Sequence, residues 1–326
     1  MIRLLNLPEW ARPDNPVLRY VLGSQPPITR RARMVRFFLL TLAGIVLIFF
    51  GYMLATNMFQ VPPGQHATDT LLNILFWPTI IIQVIVSIGA LGLTASAISE
   101  EQRRQTWDSL RSTRSGITLA LRARWIAVFY RMRGLLALLM LVRVILIVGI
   151  LVDLTAFRGG YLDRIINNIT PDVDSVVGVV LLSFWMSAAL LLPIVALGFD
   201  AALGLLISTF AQGRGASVIT QVVLALLRLA VVGALLLLMA QFLQNGLTAP
   251  AGTPLTQPLD WLLTAAYAVF GDWGLYFLEM ENNGTMWATV PYGILIGVVM
   301  LAACFVLALL TDLLIAWAVR RAERVG

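Results

Sequence analysis

Apolar residues run along this chain in long blocks. Residues 70 to 99 pass thirty positions without one charged side chain, and comparable blocks recur to the C-terminus. Six of them, at 35–56, 71–98, 134–155, 176–209, 218–243 and 288–319, reach the roughly 20 helical residues that a hydrocarbon core of about 30 Å requires. The fourth and sixth exceed it, so tilt, a break near Pro193 and Gly198, or extension beyond the lipid is expected. The pattern predicts an all-α integral membrane protein with six transmembrane helices. Residues 1–34 form an N-terminal segment and residues 35–326 a single six-span domain. The first block is too long for a signal peptide, and no small-residue cleavage site follows it.

The polar intervals have different characters. In DNPVLRYVL, Asn15 suits an N-cap and Pro16 the first helical position. A short interfacial helix is expected there, with Val17, Leu18, Val21 and Leu22 facing lipid. AQGRGAS at 211–217 reads as a tight turn between the fourth and fifth spans. The interval 244–287 opens with Pro and Gly and continues PLDWLLTAAYAVFGDWGLYFLEMENNG. Its stretch 259–280 is long enough for a seventh span, but it carries Asp260, Asp272 and Glu279 and a Gly271 to Gly274 break. It reads as a re-entrant hairpin, with a plain interfacial helix as the alternative, and Trp261, Tyr267, Trp273 and Tyr276 suit the membrane interface.

Composition agrees with a membrane protein: 59% of residues are hydrophobic, 12% are charged, and the mean hydropathy is +0.87. All 23 basic residues are Arg. Without Lys the chain cannot supply the phosphate-binding Lys of a P-loop, so no ATPase or other enzymatic activity of its own is expected. The Arg distribution sets orientation. Nineteen lie before the first span, between spans two and three, at Arg214 and at the C-terminus, against Arg158 and Arg164 in the opposite connections. A plasma or inner membrane location is expected, and that partition predicts both termini cytoplasmic and accounts for the net charge of +6 without a nucleic-acid partner. The lone Cys304 excludes an intrachain disulfide. With His66 as the single histidine, no metal or other cofactor site is expected.

Four charges fall inside the blocks. Arg143, Asp200 and Arg228 each lie about 14 to 16 Å from the inner surface by helical rise, and Asp312 lies slightly shallower. Facing lipid, each would cost roughly 2.5 to 3.5 kcal/mol, so all four are expected to turn inward and pair as one network.

The densest charge run is SEEQRRQTWDSLRSTRS at 99–115, within a cytoplasmic region 99–133. Ser99 and Gln102 have capping-box spacing, which predicts a helix starting as the chain leaves span two and ending by Gly116. Trp107 and Leu110 share one face of it, and a large aromatic on a charged surface marks a contact. Glu101, Gln105, Thr106, Trp107, Asp108, Leu110, Thr113 and Ser115 together resemble the EKExGTxExLxxTPxS signature of permease subunits of ABC type-2 transporters. Gln105 stands where that signature has Gly, and Arg114 where it has Pro. The NPVLR segment, the six spans, ALGLLIST at 202–209 and the outer re-entrant region 244–287 are similar to the same family. The resemblance implies a coupling helix that docks on a separate ABC ATPase subunit through Glu100, Glu101, Thr106, Trp107, Asp108, Leu110 and Thr113. It also implies a second permease copy or paralogue in the bilayer, and the export of a substrate that the residues do not identify. A secondary, ion-coupled transporter resting on the intramembrane charges and a structural membrane subunit are the alternatives.

Overall fold

The computed structural model describes residues 8–23, 67–103, 116–151, 175–210, 213–245, 256–278 and 296–324, with isolated positions at 30, 31, 34, 35, 38, 42, 46, 105 and 112. Among the described residues every regular element is a helix. After a 3-10 turn at Glu9–Ala11 come α1 (Pro16–Leu22), α2 (Ala67–Ala95), α3 (Ala97–Arg103), α4 (Gly116–Leu151), α5 (Ser175–Ser208), α6 (Arg214–Asn245), α7 (Thr256–Phe270), α8 (Gly274–Phe277) and α9 (Ile296–Arg324).

Five stretches are long and apolar enough to cross a membrane: Ile74–Gln102, Gly116–Leu151, Val176–Ser208, Gly215–Leu238 and Ile296–Arg324. They mark a multi-pass membrane protein and coincide with five of the six predicted spans. The span predicted at 35–56 lies outside the described residues apart from isolated positions. The polarity of the bundle is inside out. Arg143 and Asp200 are buried, whereas Leu141 and Val148 of α4 and Phe305, Leu309 and Leu313 of α9 are exposed, as lipid-facing side chains are.

The most extensive helix contact joins α5 and α9, and α2 lies against both α5 and α4. Gly297 makes the first crossing tight. A Cβ there would stand 2.8 Å from the Cβ of Trp185 and 2.9 Å from the carbonyl oxygen of Leu181, so only a residue without a side chain lets the two backbones meet. Without a water-driven hydrophobic effect between helices in lipid, such close backbone approach is a principal source of association energy. Three apolar clusters follow the bundle along its length. One holds Phe76, Trp185, Trp273 and Phe277; a second Val86, Val128 and Leu197; a third, at the α3 end, Ile98, Ile117 and Leu205.

The predicted cap of α1 is present: Asn15 Oδ1 accepts from the Val17 N–H at 2.9 Å and Pro16 opens the helix. Its face is used differently from the expectation. Leu18 is fully buried against protein, not lipid, because α1 lies on α4. There the Tyr130 hydroxyl donates to the Ala11 carbonyl (3.0 Å) and Arg131 donates to the Val21 carbonyl (2.9 Å). The turn between α5 and α6 contains Gly213 at φ 93, a conformation open to Gly at no steric cost. Pro193 does not interrupt α5, which runs unbroken through 34 residues.

The interval 259–280 is not a continuous span. α7 stops at Phe270 and α8 begins only at Gly274, with Asp272 between them at φ 62. A short polar side chain makes Asp one of the few non-Gly residues that adopt this left-handed backbone readily. Tyr267, Trp273 and Tyr276 also depart from the expected interfacial position. They are buried, and Trp273 meets Trp77 edge to face at 5.6 Å.

Candidate functional site

The site is a chain of polar groups threaded through the apolar bundle, and it starts from a missing donor. Pro193 has no N–H, so the carbonyl of Ala189, four residues earlier on α5, loses its helical partner. Arg143 of α4 fills the gap: its Nη1 donates to the Ala189 oxygen at 2.6 Å. Its Nη2 donates to the carboxylate of Asp272, at the break between α7 and α8. The Arg143 side chain is 1% exposed and that of Asp272 12%. One guanidinium thus joins α4, α5 and the α7–α8 tip, a use of its planar fork that a single ammonium could not copy. The tip is held from the other side by Trp185, whose indole N–H donates to the Gly274 carbonyl at 2.8 Å.

A second ion pair lies nearby. Arg228 of α6 donates to Asp200 of α5 at 3.4 Å and to the Ser87 hydroxyl of α2 at 3.3 Å. Asp200 is 4% exposed and Arg228 30%. One member of each pair, Arg228 and Asp272, lines a small cavity of about 30 Å³ together with Gln83 and Ser87. Its remaining lining is mostly apolar, Ile80, Val84 and Leu235 among it, and its volume suffices for roughly one or two water molecules. The Gln83 side-chain oxygen, buried beside it, has no hydrogen-bond partner among the described residues. The arrangement holds charge deep in the bundle by pairing each guanidinium with a carboxylate.

The predicted four-membered network therefore divides. Asp200 and Arg228 pair as expected, but Arg143 takes Asp272, a residue the sequence placed only in a helix break. Asp312 joins neither. It is exposed on α9 and faces a separate cavity with Arg122 and Arg320. Counting helical rise gives depth along a helix but not the direction in which a side chain points, and Asp312 points away from the other three. The partner of Arg143 was accessible by arithmetic in part: subtracting four from Pro193 gives Ala189. Nothing local to GDWG gives the depth at which Asp272 sits.

Of the expected coupling residues, Thr106, Trp107, Asp108, Leu110 and Thr113 lie outside the described residues. The helix before them begins at Ala97, not at Ser99, because α2 ends at a turn on Ser96. The Ser99 hydroxyl donates back to the Ser96 carbonyl (3.1 Å) and caps nothing. Glu100 and Glu101 are clamped to α4 by Arg124, at 3.4 Å and 2.5 Å respectively. Glu101 is 4% exposed, and its carboxylate ties α3 to α4. Gln105, just past α3, has φ 57.

Replacing Arg228 with Leu is expected to strand the buried Asp200 carboxylate and lower stability by about 1 to 3 kcal/mol, the lower part of the range reflecting the partial exposure of Arg228. Asp200→Asn combined with Arg228→Gln should recover part of the loss. A double-mutant cycle on thermal unfolding, with Asp200→Asn and Arg228→Gln as its single variants, checks the coupling, and simple additivity of those two changes would rule it out. No protein-family model, no curated protein and no solved structure matches this chain.

Proposed function

We propose that this chain is the membrane-spanning permease subunit of an ATP-driven ABC exporter. It lies in the inner, plasma membrane with both termini cytoplasmic, couples to a separate ATPase subunit and works beside a second copy or a paralogue. The observation that carries this reading is the backbone at Gln105. In the signature that residues 101–115 resemble, this position is Gly, and here it follows α3 with φ 57, a conformation that Gly adopts freely. A turn of that kind gives the signature's Gly a physical reason, and Gln makes the same turn at a cost of roughly 1 to 2 kcal/mol. The clamp of Glu100 and Glu101 on Arg124 adds support, since a docking element must be joined stiffly to the spans it moves.

The test is copurification of the chain with an ATPase from native membranes. Trp107→Ala should weaken that association about 30-fold, as the loss of an interface anchor worth about 2 kcal/mol does. Asp108→Arg should weaken it further through charge repulsion. Expression and insertion should survive both changes. Unchanged association in the double variant, or nucleotide hydrolysis by the chain alone, would overturn the reading. Transport driven by an ion gradient without any ATPase would favour a secondary transporter, for which the Asp200–Arg228 pair is the supporting observation.

A further inference from the structure

A second polar space lies in the groove between α4 and α9. A cavity of about 850 Å³ is lined there by Arg122, Arg320, Asp312 and Glu323, with Leu309 and Leu313 along its wall. Two cations and two anions share one open space, yet none of the four makes an ion pair within 4.0 Å among the described residues. Trp10 from the 3-10 turn region closes one side, its ring 5.8 Å from the Arg122 guanidinium. Leu309 and Leu313 are 64% and 65% exposed, so the wall opens toward lipid.

We propose that this groove binds a zwitterionic glycerophospholipid whose headgroup carries a primary ammonium. The order of groups along α9 matches such a molecule. Glu323 and Arg320 are three residues apart at the charged helix end, about 4.5 Å along the axis, where an ammonium and a phosphate meet water. Arg122 reaches the same space from α4 and adds a second guanidinium, the group best suited to phosphate oxygens. Leu313 and Leu309 continue down the helix from there, along the path of an acyl chain. Asp312 lies about 12 Å beyond Arg320 and brings the four charges to a net of zero, so an added anionic headgroup finds no excess positive field. Glu323 accepts hydrogen bonds from a primary ammonium, whereas a quaternary one has no N–H to give.

The full chain, purified after reconstitution in vesicles of equal phosphatidylethanolamine, phosphatidylcholine and phosphatidylglycerol, is read by native mass spectrometry for retained lipid. Phosphatidylethanolamine should exceed each of the others about tenfold, as one good charge-assisted contact provides. Glu323→Gln should erase that preference and shift retention toward phosphatidylglycerol. Arg122→Gln with Arg320→Gln should reduce all three lipids. All three positions are exposed, and the wild-type preference stands as a test even if a variant fails to fold. Equal retention of the three lipids by the wild type, a preference unchanged by Glu323→Gln, or a protein segment cross-linked at position 313 in place of lipid would overturn the proposal.

Discussion

Arg143→Leu should lower stability by about 3 to 5 kcal/mol, the largest effect expected of any single change in this chain. Leu removes both donors at once: the Asp272 carboxylate is left charged in a nearly dry site and the Ala189 carbonyl is left with no donor at all. Lys at the same place should recover only part, since one ammonium cannot hold the forked geometry. The geometry also specifies the remedy. In an Arg143→Leu, Asp272→Leu background, Pro193→Ala restores the N–H that the Ala189 carbonyl lacks and should return about 1 to 3 kcal/mol, whereas in the wild type that carbonyl already has a donor. Thermal unfolding followed by tryptophan fluorescence in detergent reads all of these. An unchanged midpoint for Arg143→Leu would show that the buried guanidinium is not holding the tip.

Gly297→Val should be nearly as damaging, by about 3 kcal/mol or more, for a different reason. The atoms its side chain would strike are the backbone nitrogen and Cβ of Trp185 and the carbonyl of Leu181, none of which can rotate away. α5 and α9 would have to separate along the most extensive contact in the bundle. Gly233→Ala on α6 is the matched control. Nothing lies within 4 Å of its Cβ, so the change should be neutral or stabilising by roughly 0.5 to 1 kcal/mol through helix propensity. Equal melting temperatures for the two variants would contradict the close crossing.

The five spans among the described residues were legible because lipid imposes a length and an apolarity that any window along the chain records. The Asn15 and Pro16 cap was legible because its partners are two residues apart. What failed to show has a common physical cause, the dependence on a partner distant in sequence. Ser99 matched a capping box, but the helix start is decided by where α2 ends. Tyr267, Trp273 and Tyr276 have the composition of an interfacial belt, and only the placement of the α7–α8 tip against Phe76 and Trp77 turns them into core. The depth of Arg143 can be read from the sequence but its partner cannot, since Asp272 lies 129 residues away across a helix break.

α4 is a single unbroken helix of 36 residues, close to 54 Å long, nearly twice the thickness of a hydrocarbon core. Arg124, gripping Glu100 and Glu101, and Arg143, gripping the α7–α8 tip, sit on this one rod about 28 Å apart. A rigid rod does not absorb a push; it converts it into a swing. Were α4 to rock by about 10° around its midpoint, each end would move roughly 5 Å, about the length of one helical turn.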